Sequence, residues 1–321
     1  MNLSTKILVS LNRIFPKPKR PCSRNPNPEA LIYPADPVTI EYIDMQIDKG
    51  NQLYKNYYSR YVDFDNKVIL DIGCGLGGAT FSYSKKGSNV VLGLDIKCLA
   101  LSEGKKYLQE KYGSFELDFI CGSATSLPLK SESFDAVVAN DFMEHVNDPE
   151  KAIRETIRIL KEDGFFLFEF AGYYSPRGYH MLYTIYTPWC NVFFSEDTLV
   201  KAAKQIAAKE NYFWVLHPDW ESKYRNGLNK ITIKEFLSIL MAQKDVKLIK
   251  LEFNAFNKFL QPFVYLNKIN EVIVSYIFCV LQKSHGSSIN RSDIRNQLIE
   301  DFKRKFVKFK NKFFVRNRHE K

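Results

Sequence analysis

A glycine-rich segment at residues 70–78 carries the most specific chemical signal in the chain. It reads Leu-Asp-Ile-Gly-Cys-Gly-Leu-Gly-Gly, follows an apolar run and precedes a helical stretch. In that context, glycines let a ligand approach the backbone closely, and N–H groups at the start of the helix face it. Gly73, Gly75 and Gly78 match the spacing G-x-G-x-x-G, which also fits a dinucleotide site. The segment therefore predicts a nucleotide-type cofactor without identifying it.

Two carboxylates narrow the choice of cofactor. Asp71 lies two residues before the first glycine, at the tip of the apolar run, where it can receive a ligand ammonium group. Asp95 ends the next strand-like run, where a carboxylate can accept two hydrogen bonds from a ribose diol. Together they favour a ligand that carries both an ammonium group and a ribose.

Strand and helix signals alternate around these residues. Strand-like runs lie at 67–73, 89–95, 115–124, 134–141, 165–172, 246–253 and 271–282. Helical stretches lie at 38–61, 77–86, 97–112, 148–164, 196–208 and 232–243. Short links between such elements require parallel strands and right-handed crossovers. The pattern predicts an α/β fold with a doubly wound, mostly parallel, Rossmann-like sheet.

A second motif, residues 139–149, reads Ala-Asn-Asp-Phe-Met-Glu-His-Val-Asn-Asp-Pro and leads into a helix. With the glycine loop, it resembles the class I S-adenosylmethionine-dependent methyltransferases, in particular the broad family that includes ubiquinone and menaquinone biosynthesis methyltransferases. The resemblance covers residues 66–172 well and 231–283 more loosely. It implies a seven-stranded methyltransferase sheet and S-adenosylmethionine as the cofactor.

The resemblance also implies which residues contact the cofactor. In the family, the glycine loop holds the methionine part, the acid after the second strand holds the ribose, and the turn after the third strand holds the adenine. The residues at the matching positions are Asp71, Gly73, Cys74, Gly75, Gly77, Asp95, Ile96, Ser123, Ala124, Asn140 and Asp141. Ser123 stands where the family commonly has an aspartate.

Methyl transfer is an in-line displacement, so positioning supplies most of the acceleration, and a general base helps when the acceptor is a hydroxyl. The candidates for this base are His145, in the second motif, and His180, farther along the chain. His217 is a weaker candidate, and Asp141 and Glu144 lie nearer the cofactor end. Alternatively, His145 orients its loop and His180 is a structural histidine. The scattered cysteines and histidines lack ligand spacing, so we expect no metal.

The chain divides into five regions by composition and pattern. They are a basic, proline-rich arm (1–37), a cofactor-binding core (38–172), an aromatic-rich insertion (173–230), a completion of the sheet (231–285) and a basic amphipathic tail (286–321). An insertion after the fifth strand, at the end where ligands bind, is the usual place for a substrate lid. Its aromatic residues either line an acceptor pocket or form the core of the lid.

The positive charge sits at the two ends of the chain. The net charge is +10, yet residues 1–24 hold six basic residues and no acid, and residues 302–321 hold nine basic residues and one acid. The remainder, residues 25–301, is therefore mildly acidic. Because nucleic-acid enzymes usually carry a basic groove on the folded body, we expect no nucleic-acid partner.

Both basic ends also show helical apolar spacing. The stripes are Leu298, Phe302, Phe306, Phe309 and Phe313 near the end, and Ile7, Leu11, Ile14 and Phe15 near the start. A basic amphipathic helix either attaches to an anionic membrane surface or docks on the protein's own core. The pattern alone leaves both alternatives open.

The compartment is expected to be the cytoplasm, with the membrane surface as an alternative. No apolar run approaches the roughly 20 residues that span a bilayer, and the N-terminus makes a poor signal peptide. The six cysteines are widely scattered, which favours free thiols: Cys22, Cys74, Cys98, Cys121, Cys190 and Cys279.

The sequence thus predicts an S-adenosylmethionine-dependent methyltransferase acting at oxygen on a small-molecule or lipid-linked acceptor. Nitrogen and carbon acceptors stay open. A dinucleotide-dependent oxidoreductase lacks a recognisable Tyr-x-x-x-Lys pair, and a non-catalytic binding module would usually lose the glycine loop. An amino methylase of nucleic acids would need two prolines after Asp141, which are missing.

Overall fold

The computed structural model describes residues 2–15, 37–113, 117–176, 178–181, 184–210, 213–216, 220–266 and 269–310. Its strands are β1 (Val68–Ile72), β2 (Val90–Asp95), β3 (Leu117–Cys121), β4 (Phe134–Asn140), β5 (Leu160–Phe170), β6 (Lys244–Ala255) and β7 (Val274–Ser288). Its α-helices are α1 (Leu3–Leu11), α2 (Pro37–Asn56), α3 (Gly78–Ser84), α4 (Cys98–Tyr112), α5 (Pro149–Ile159), α6 (Cys190–Phe193), α7 (Glu196–Glu210), α8 (Phe213–Leu216), α9 (Trp220–Asn226), α10 (Ile233–Ala242), α11 (Asn270–Ile273) and α12 (Arg291–Lys310). Short 3₁₀-helices span Tyr58–Arg60, Met143–His145 and Lys258–Tyr265.

The strands form one seven-stranded sheet in the order β3-β2-β1-β4-β5-β7-β6. The first five strands are parallel, and β7 runs antiparallel to both β5 and β6. The chain winds outward from β1 in both directions, which confirms the doubly wound fold. Strand β7 continues to Ser288, three residues past the boundary expected at 285. In such sheets, ligands bind at the carboxyl ends of the strands where the winding direction changes, here beside β1.

Two apolar clusters cover the two faces of the sheet. Along β1, Leu70 and Ile72 face the cluster that includes α5 and α10, whereas Ile69 faces the cluster that includes α2 and α3. Successive side chains of a strand point to opposite faces, so a strand buried on both faces is apolar at nearly every position. This double burial explains the continuous apolar runs in the sequence.

Helix α5 is shorter than the sequence predicted. Asp148 caps its first turn as expected, but the helix ends at Ile159 rather than continuing to Gly164. Leu160 is fully buried and pairs with Phe134 of β4. The chain therefore enters the sheet directly after the helix, because burying Leu160 in the sheet outweighs the helical propensity of the residues that follow.

The insertion after β5 contains α6 to α9 and forms a third apolar cluster around α7. Helix α1 belongs to this cluster through Leu8 and Val9. The Asn12 side chain also donates a hydrogen bond to the Thr184 carbonyl at 3.2 Å. The basic, proline-rich arm expected at residues 1–37 thus begins with a helix docked on the insertion, in agreement with the helical spacing noted near the start of the chain. Residues 16–36 lie outside the described residues.

Helix α12 docks on β6 through a buried carboxylate. Asp301 is fully buried, accepts a hydrogen bond from the Tyr265 hydroxyl at 2.7 Å, and pairs with Arg304 and Lys305 at 2.7 and 3.0 Å. Two basic side chains of the tail are therefore engaged within the protein, and residues 311–321 lie outside the described part. None of the described helices is both long and apolar enough to cross a membrane.

Cys98 and Cys121 form a disulfide, which corrects the expectation of free thiols at these positions. Parallel pairing of β2 with β3 sets Cys121 opposite Asp95. Cys98 follows Asp95 by three residues, so the two Cα atoms lie 5.0 Å apart despite a separation of 23 residues. The free cysteines in the described part are Cys74, Cys190 and Cys279, all buried, and Cys22 lies outside it.

Candidate functional site

The glycine loop turns sharply between β1 and α3. Gly73, Gly75 and Gly77 have φ values of 75°, 57° and 79°, which glycine adopts without steric cost. At Gly77, a Cβ would also lie only 2.3 Å from the Phe119 ring. Above Gly75, the nearest atom to an added Cβ is Gln46 Nε2, at 3.7 Å. The loop therefore keeps one accessible side, which Gln46 borders.

Gln46, from α2, brings an unsatisfied acceptor to that side of the loop. Its Oε1 is buried, and none of the described residues donates a hydrogen bond to it. A buried amide oxygen without a partner costs free energy, so its presence calls for a donor. The ammonium group of S-adenosylmethionine is such a donor, and the residues present therefore fit the amino-acid part of that cofactor.

Asp71 lies beneath the loop at the end of β1. It is 2% exposed, and its Oδ2 accepts a hydrogen bond from the Thr80 hydroxyl at 2.7 Å. Burial raises the pKa of the Asp71 carboxyl to about 7. A cation brought close to it would favour the ionised form. Cys74 is also buried, and burial raises the pKa of its thiol, which keeps it protonated and uncharged.

Asp95 forms the far side of the loop. Its Oδ2 accepts from the Gly75 N–H and its Oδ1 from the Lys97 N–H, both at 2.9 Å. Each carboxylate oxygen has a second lone pair, so the fixed carboxylate can still accept two hydroxyl groups. Ile96, the next residue, is 69% exposed and offers apolar surface beside them.

The turn after β3 lies next to Asp95. The Gly122 N–H donates to the Asp95 carbonyl at 3.0 Å. The Ser123 hydroxyl bonds to the Thr125 hydroxyl at 2.9 Å, within its own turn, and Ala124 is buried. The structure thus brings the glycine loop, the acid after β2 and this turn to one edge of the sheet, as predicted.

Asn140, at the end of β4, uses its side chain inside the protein. Its Oδ1 accepts from the Tyr58 hydroxyl, and its Nδ2 donates to the Tyr83 hydroxyl at 3.2 Å. Both tyrosines are fully buried. The Asn140 amide therefore ties the end of β4 to neighbouring elements, and a direct contact with the cofactor stays a prediction.

An ion cluster that the sequence did not reveal lies at the ends of β4 and β5. Lys49, from α2, contacts Asp141 Oδ2 at 2.5 Å and Glu169 Oε1 at 3.5 Å. Burial opposes the charge on Lys49, but the two carboxylates outweigh it and hold its pKa above the usual range. Lys49 likewise outweighs burial to lower the pKa of Asp141, whereas burial raises the pKa of Glu169 to about 7. Helical spacing predicted α2, but no signal indicated that Lys49 reaches the sheet.

The two predicted histidines meet beside this cluster. The ring centroids of His145 and His180 lie 4.8 Å apart, edge to face. His145 Nδ1 lies 2.6 Å from the Gly227 carbonyl, and His180 Nε2 lies 3.6 Å from Glu144 Oε1. Burial and the nearby His180 lower the pKa of His145, whereas Glu144 raises the pKa of His180 against the effect of burial. His217 lies outside the described residues.

Comparison with known protein families gives a match over the same part of the chain. Residues 70–168 match a family model described as "Methyltransferase domain". The matched segment begins in β1 and ends in β5, so it includes the glycine loop, Asp95 and the second motif.

Individual relatives agree with this match. Demethylmenaquinone methyltransferase from Renibacterium salmoninarum is 36% identical over 96 residues, which are 30% of this chain and 38% of the relative. Norajmaline N-methyltransferase from Rauvolfia serpentina is 37% identical over 98 residues, 29% of this chain and 32% of the relative. This chain thus spans about a third of the length of these curated relatives.

A solved structure extends the similarity of fold. One chain of the complex between the Haloferax volcanii Trm112 methyltransferase activator and a methyltransferase superposes with a TM-score of 0.50. The alignment covers 82% of this chain and all of the other at 14% identity. At that identity, the likeness shows the fold alone.

Proposed function

Residues 70–168 form a domain of the class I S-adenosylmethionine-dependent methyltransferase family, and from this premise we propose that the protein transfers a methyl group from S-adenosylmethionine to a small-molecule or lipid-linked acceptor. The observation that carries the proposal is the Asp95 carboxylate, which two backbone N–H groups hold beside the accessible side of the glycine loop.

Four parts of the chain would bind the cofactor. Asp71 and the Gln46 amide oxygen bind the ammonium group, Asp95 accepts the two ribose hydroxyls, and Ile96 with the turn after β3 packs on the adenine. S-adenosylmethionine supplies an electrophilic methyl carbon when bound. The contribution of the protein is to fix that carbon in line with the acceptor and to exclude water, which can supply most of the acceleration.

We propose oxygen as the acceptor atom because proton acceptors gather at the ends of β4 and β5. Glu169 has a pKa of about 7, so near neutral pH it can take a proton from a hydroxyl. His145, with its lowered pKa, is neutral and offers a second base. Since one relative is named as an N-methyltransferase, nitrogen is the first alternative and carbon the second.

The lipid-linked class of acceptor is supported by a surface that we call the aromatic face, formed by the 3₁₀-helix Lys258–Tyr265 and by α12. Its exposed apolar members are Phe259, Phe263, Leu266, Phe302, Phe306 and Val307. The Tyr265 ring contacts the Phe302 ring, with centroids 5.3 Å apart, and so joins the two elements. Lys258 and Lys303 are exposed beside it. Exposed aromatic residues with flanking lysines suit the interface of an anionic membrane.

Helix α1, which docks on the insertion, also supports a contact with the membrane. Its outward residues Leu3, Ile7 and Ile14 are 73%, 45% and 75% exposed. Lys6 and Arg13 lie beside them and are also exposed. We therefore propose that the protein works at the cytoplasmic surface of a membrane, through α1 and the aromatic face.

The test of the activity uses tritiated methyl groups. Purified protein is incubated with S-adenosyl-[methyl-³H]methionine and, separately, with a lipid extract and an aqueous metabolite extract. We expect label in the organic phase of the lipid reaction that survives mild base, as an ether does and a methyl ester does not. Label confined to the aqueous extract contradicts the lipid-linked class, and no transfer to either extract contradicts the activity.

The test of the membrane contact is co-sedimentation with vesicles that contain phosphatidylglycerol. The double variant Phe263→Ser/Phe306→Ser removes two rings of the aromatic face, and Val90→Ser removes an exposed apolar side chain at the start of β2. We expect wild type and Val90→Ser to sediment, and the double variant to stay largely in solution. Equal sedimentation of all three contradicts the role of this surface.

A further inference from the structure

Glu144, His145 and His180 form a cluster of side chains that metal ions commonly use as ligands. Glu144 and His145 lie in the 3₁₀-helix after β4, and His180 comes from the insertion. Each offers one donor atom, and these atoms all lie within 4.8 Å of one another. Two segments distant in sequence therefore bring two imidazoles and one carboxylate to a single point.

The carboxylate of this cluster has no hydrogen-bond partner among the residues that the structure describes. Glu144 is 3% exposed, and neither of its oxygens has a hydrogen-bond partner among the described residues. His180 Nε2 lies 3.6 Å from Oε1, which is within ion-pair range but too long for a hydrogen bond. An ionised carboxylate buried in this way is costly unless it is paired or coordinates a metal. A cation bound between Glu144 and the two histidines would pair this carboxylate, which His180 can do only when it is protonated.

The orientation of His145 suits a metal ligand. Its Nδ1 lies 2.6 Å from the Gly227 carbonyl oxygen, which has no proton, so Nδ1 is the donor and Nε2 keeps its lone pair. Metal-ligating histidines commonly hold the second ring nitrogen in this way, on a carbonyl or a carboxylate.

We propose that Glu144, His145 and His180 bind a divalent transition-metal cation, with zinc as the reference ion. Two imidazoles and one carboxylate are ligands that zinc accepts, and three protein ligands leave a position for an exogenous oxygen. Bonds of about 2.0–2.1 Å would place the ligand atoms roughly 3.4 Å apart, so side-chain rotation must close the cluster. Such an ion would neutralise Glu144 and fasten the insertion to the end of β4.

The position of the cluster also suggests what the open coordination site would bind. Asp141, a member of the ion cluster, lies between the end of β4 and the 3₁₀-helix Met143–His145, which sets the cluster close to the ion cluster at the ends of β4 and β5. An acceptor hydroxyl bound to the ion would lose its proton more readily. This use of the site depends on the proposed function, whereas the binding of the cation does not.

The experiment is equilibrium dialysis of the untagged full chain, stripped with a chelator, against micromolar Zn²⁺, with metal content measured by mass spectrometry. We expect about one equivalent of zinc in the wild type. Glu144→Gln and His180→Ala should each lower the affinity at least tenfold, since each removes a ligand. Binding of Co²⁺ should give a visible absorption band that both variants lose.

His285→Ala is the matched control. His285 also lies within 4 Å of three carboxylates, those of Glu132, Glu162 and Asp245. Each of these accepts a hydrogen bond from a donor other than the His285 ring, namely Lys283 Nζ and the backbone N–H groups of His285 and Gly286. We expect this variant to bind zinc like the wild type.

Three results would overturn the proposal. They are an absence of bound zinc in the wild type, zinc binding by Glu144→Gln and His180→Ala that equals that of the wild type, and a loss of affinity in His285→Ala as large as the loss in these two variants. Melting curves check that each variant folds. If Glu144→Gln does not fold, the zinc affinity of His180→Ala decides the test. S-adenosylhomocysteine binding, titrated in parallel, reports the proposed function separately. Zinc binding without S-adenosylhomocysteine binding would contradict the proposed methyltransferase activity but support the proposed metal site.

Discussion

Replacing Asp95 by alanine tests how the chain binds its cofactor. The Asp95 carboxylate accepts the N–H groups of Gly75 and Lys97 at 2.9 Å each. Its remaining lone pairs are the proposed acceptors of both ribose hydroxyls. Hydrogen bonds to a charged group are worth about 1.5–3 kcal/mol each. Losing two of them at the lower value costs about 3 kcal/mol, or roughly 100-fold in affinity.

The assay is calorimetric titration with S-adenosylhomocysteine, which has the ribose, the adenine and the ammonium group of the cofactor. Asp95→Ala should bind roughly 100-fold more weakly than the wild type. Asp95→Asn, which keeps one acceptor oxygen, should fall between them. NADH should not bind the wild type, because it has no ammonium group to donate to the buried Gln46 Oε1. The methyltransferase family that residues 70–168 match also uses a cofactor with an amino-acid part.

The control is Asp118→Ala on the neighbouring strand β3. Asp118 has a side chain that is 78% exposed and contacts Lys105 at 3.3 Å. Its loss changes the local charge by the same amount as the loss of Asp95 without touching the loop, so affinity should stay within about twofold. The reasoning is refuted if Asp95→Ala binds within threefold of the wild type, or if Asp118→Ala loses as much.

Four further predictions concern the loop and the elements around it. Gly104→Ala should destabilise the protein by about 2 kcal/mol in urea unfolding, because a Cβ there would lie 2.0 Å from the Leu76 carbonyl oxygen; an unchanged midpoint would contradict this packing. S-adenosylhomocysteine affinity should increase as pH rises from 6 to 8, because the Asp71 carboxyl ionises near pH 7 in the free protein, and Asp71→Asn should flatten that increase. The pKa of the Asp71 carboxyl is about 3.8 in the unfolded chain and about 7 in the folded, ligand-free protein. The protonated carboxyl therefore contributes stability that is fully present below about pH 3.8 and is lost as the pH rises to about 7. Between these pH values, the wild type should lose stability relative to Asp71→Asn. Reducing the Cys98–Cys121 disulfide, separated by 23 residues, should cost about 3 kcal/mol, measured by unfolding with and without dithiothreitol.

The grouping of the proposed cofactor-binding residues was predictable because these residues are local in sequence. Asp71 and the glycines occupy adjacent positions, and Asp95 ends the strand that pairs with β1, so strand order alone brings Asp95 to Gly75. The fold class followed from the same alternation of strands and helices. What failed was the detail that depends on burial, such as the early end of α5, where Leu160 joins the sheet.

The disulfide shows a second kind of limit. Cys98 and Cys121 lie in separate elements, and only the pairing of β2 with β3 brings them together. Cysteine spacing in the sequence carries no record of strand register, so scattered cysteines favoured free thiols. The expectation of a cytoplasmic location stays a prediction, and the unfolding experiment with reductant bears on it, because disulfides are rare in reducing compartments.

Part of the proposed acceptor half of the site comes from elements that the motifs do not include. Lys49 and Gln46 come from α2, and His180 and Gly227 come from the insertion; all four lie outside the segment that matches the family model, residues 70–168. Two relatives that each align with about 30% of this chain carry names for different acceptors. We therefore expect α2 and the insertion to contribute to the choice of acceptor, while residues 70–168 supply most of the proposed cofactor contacts. Exchanging substrate preference between relatives should accordingly require exchanging these two regions, while the glycine loop and Asp95 stay unchanged.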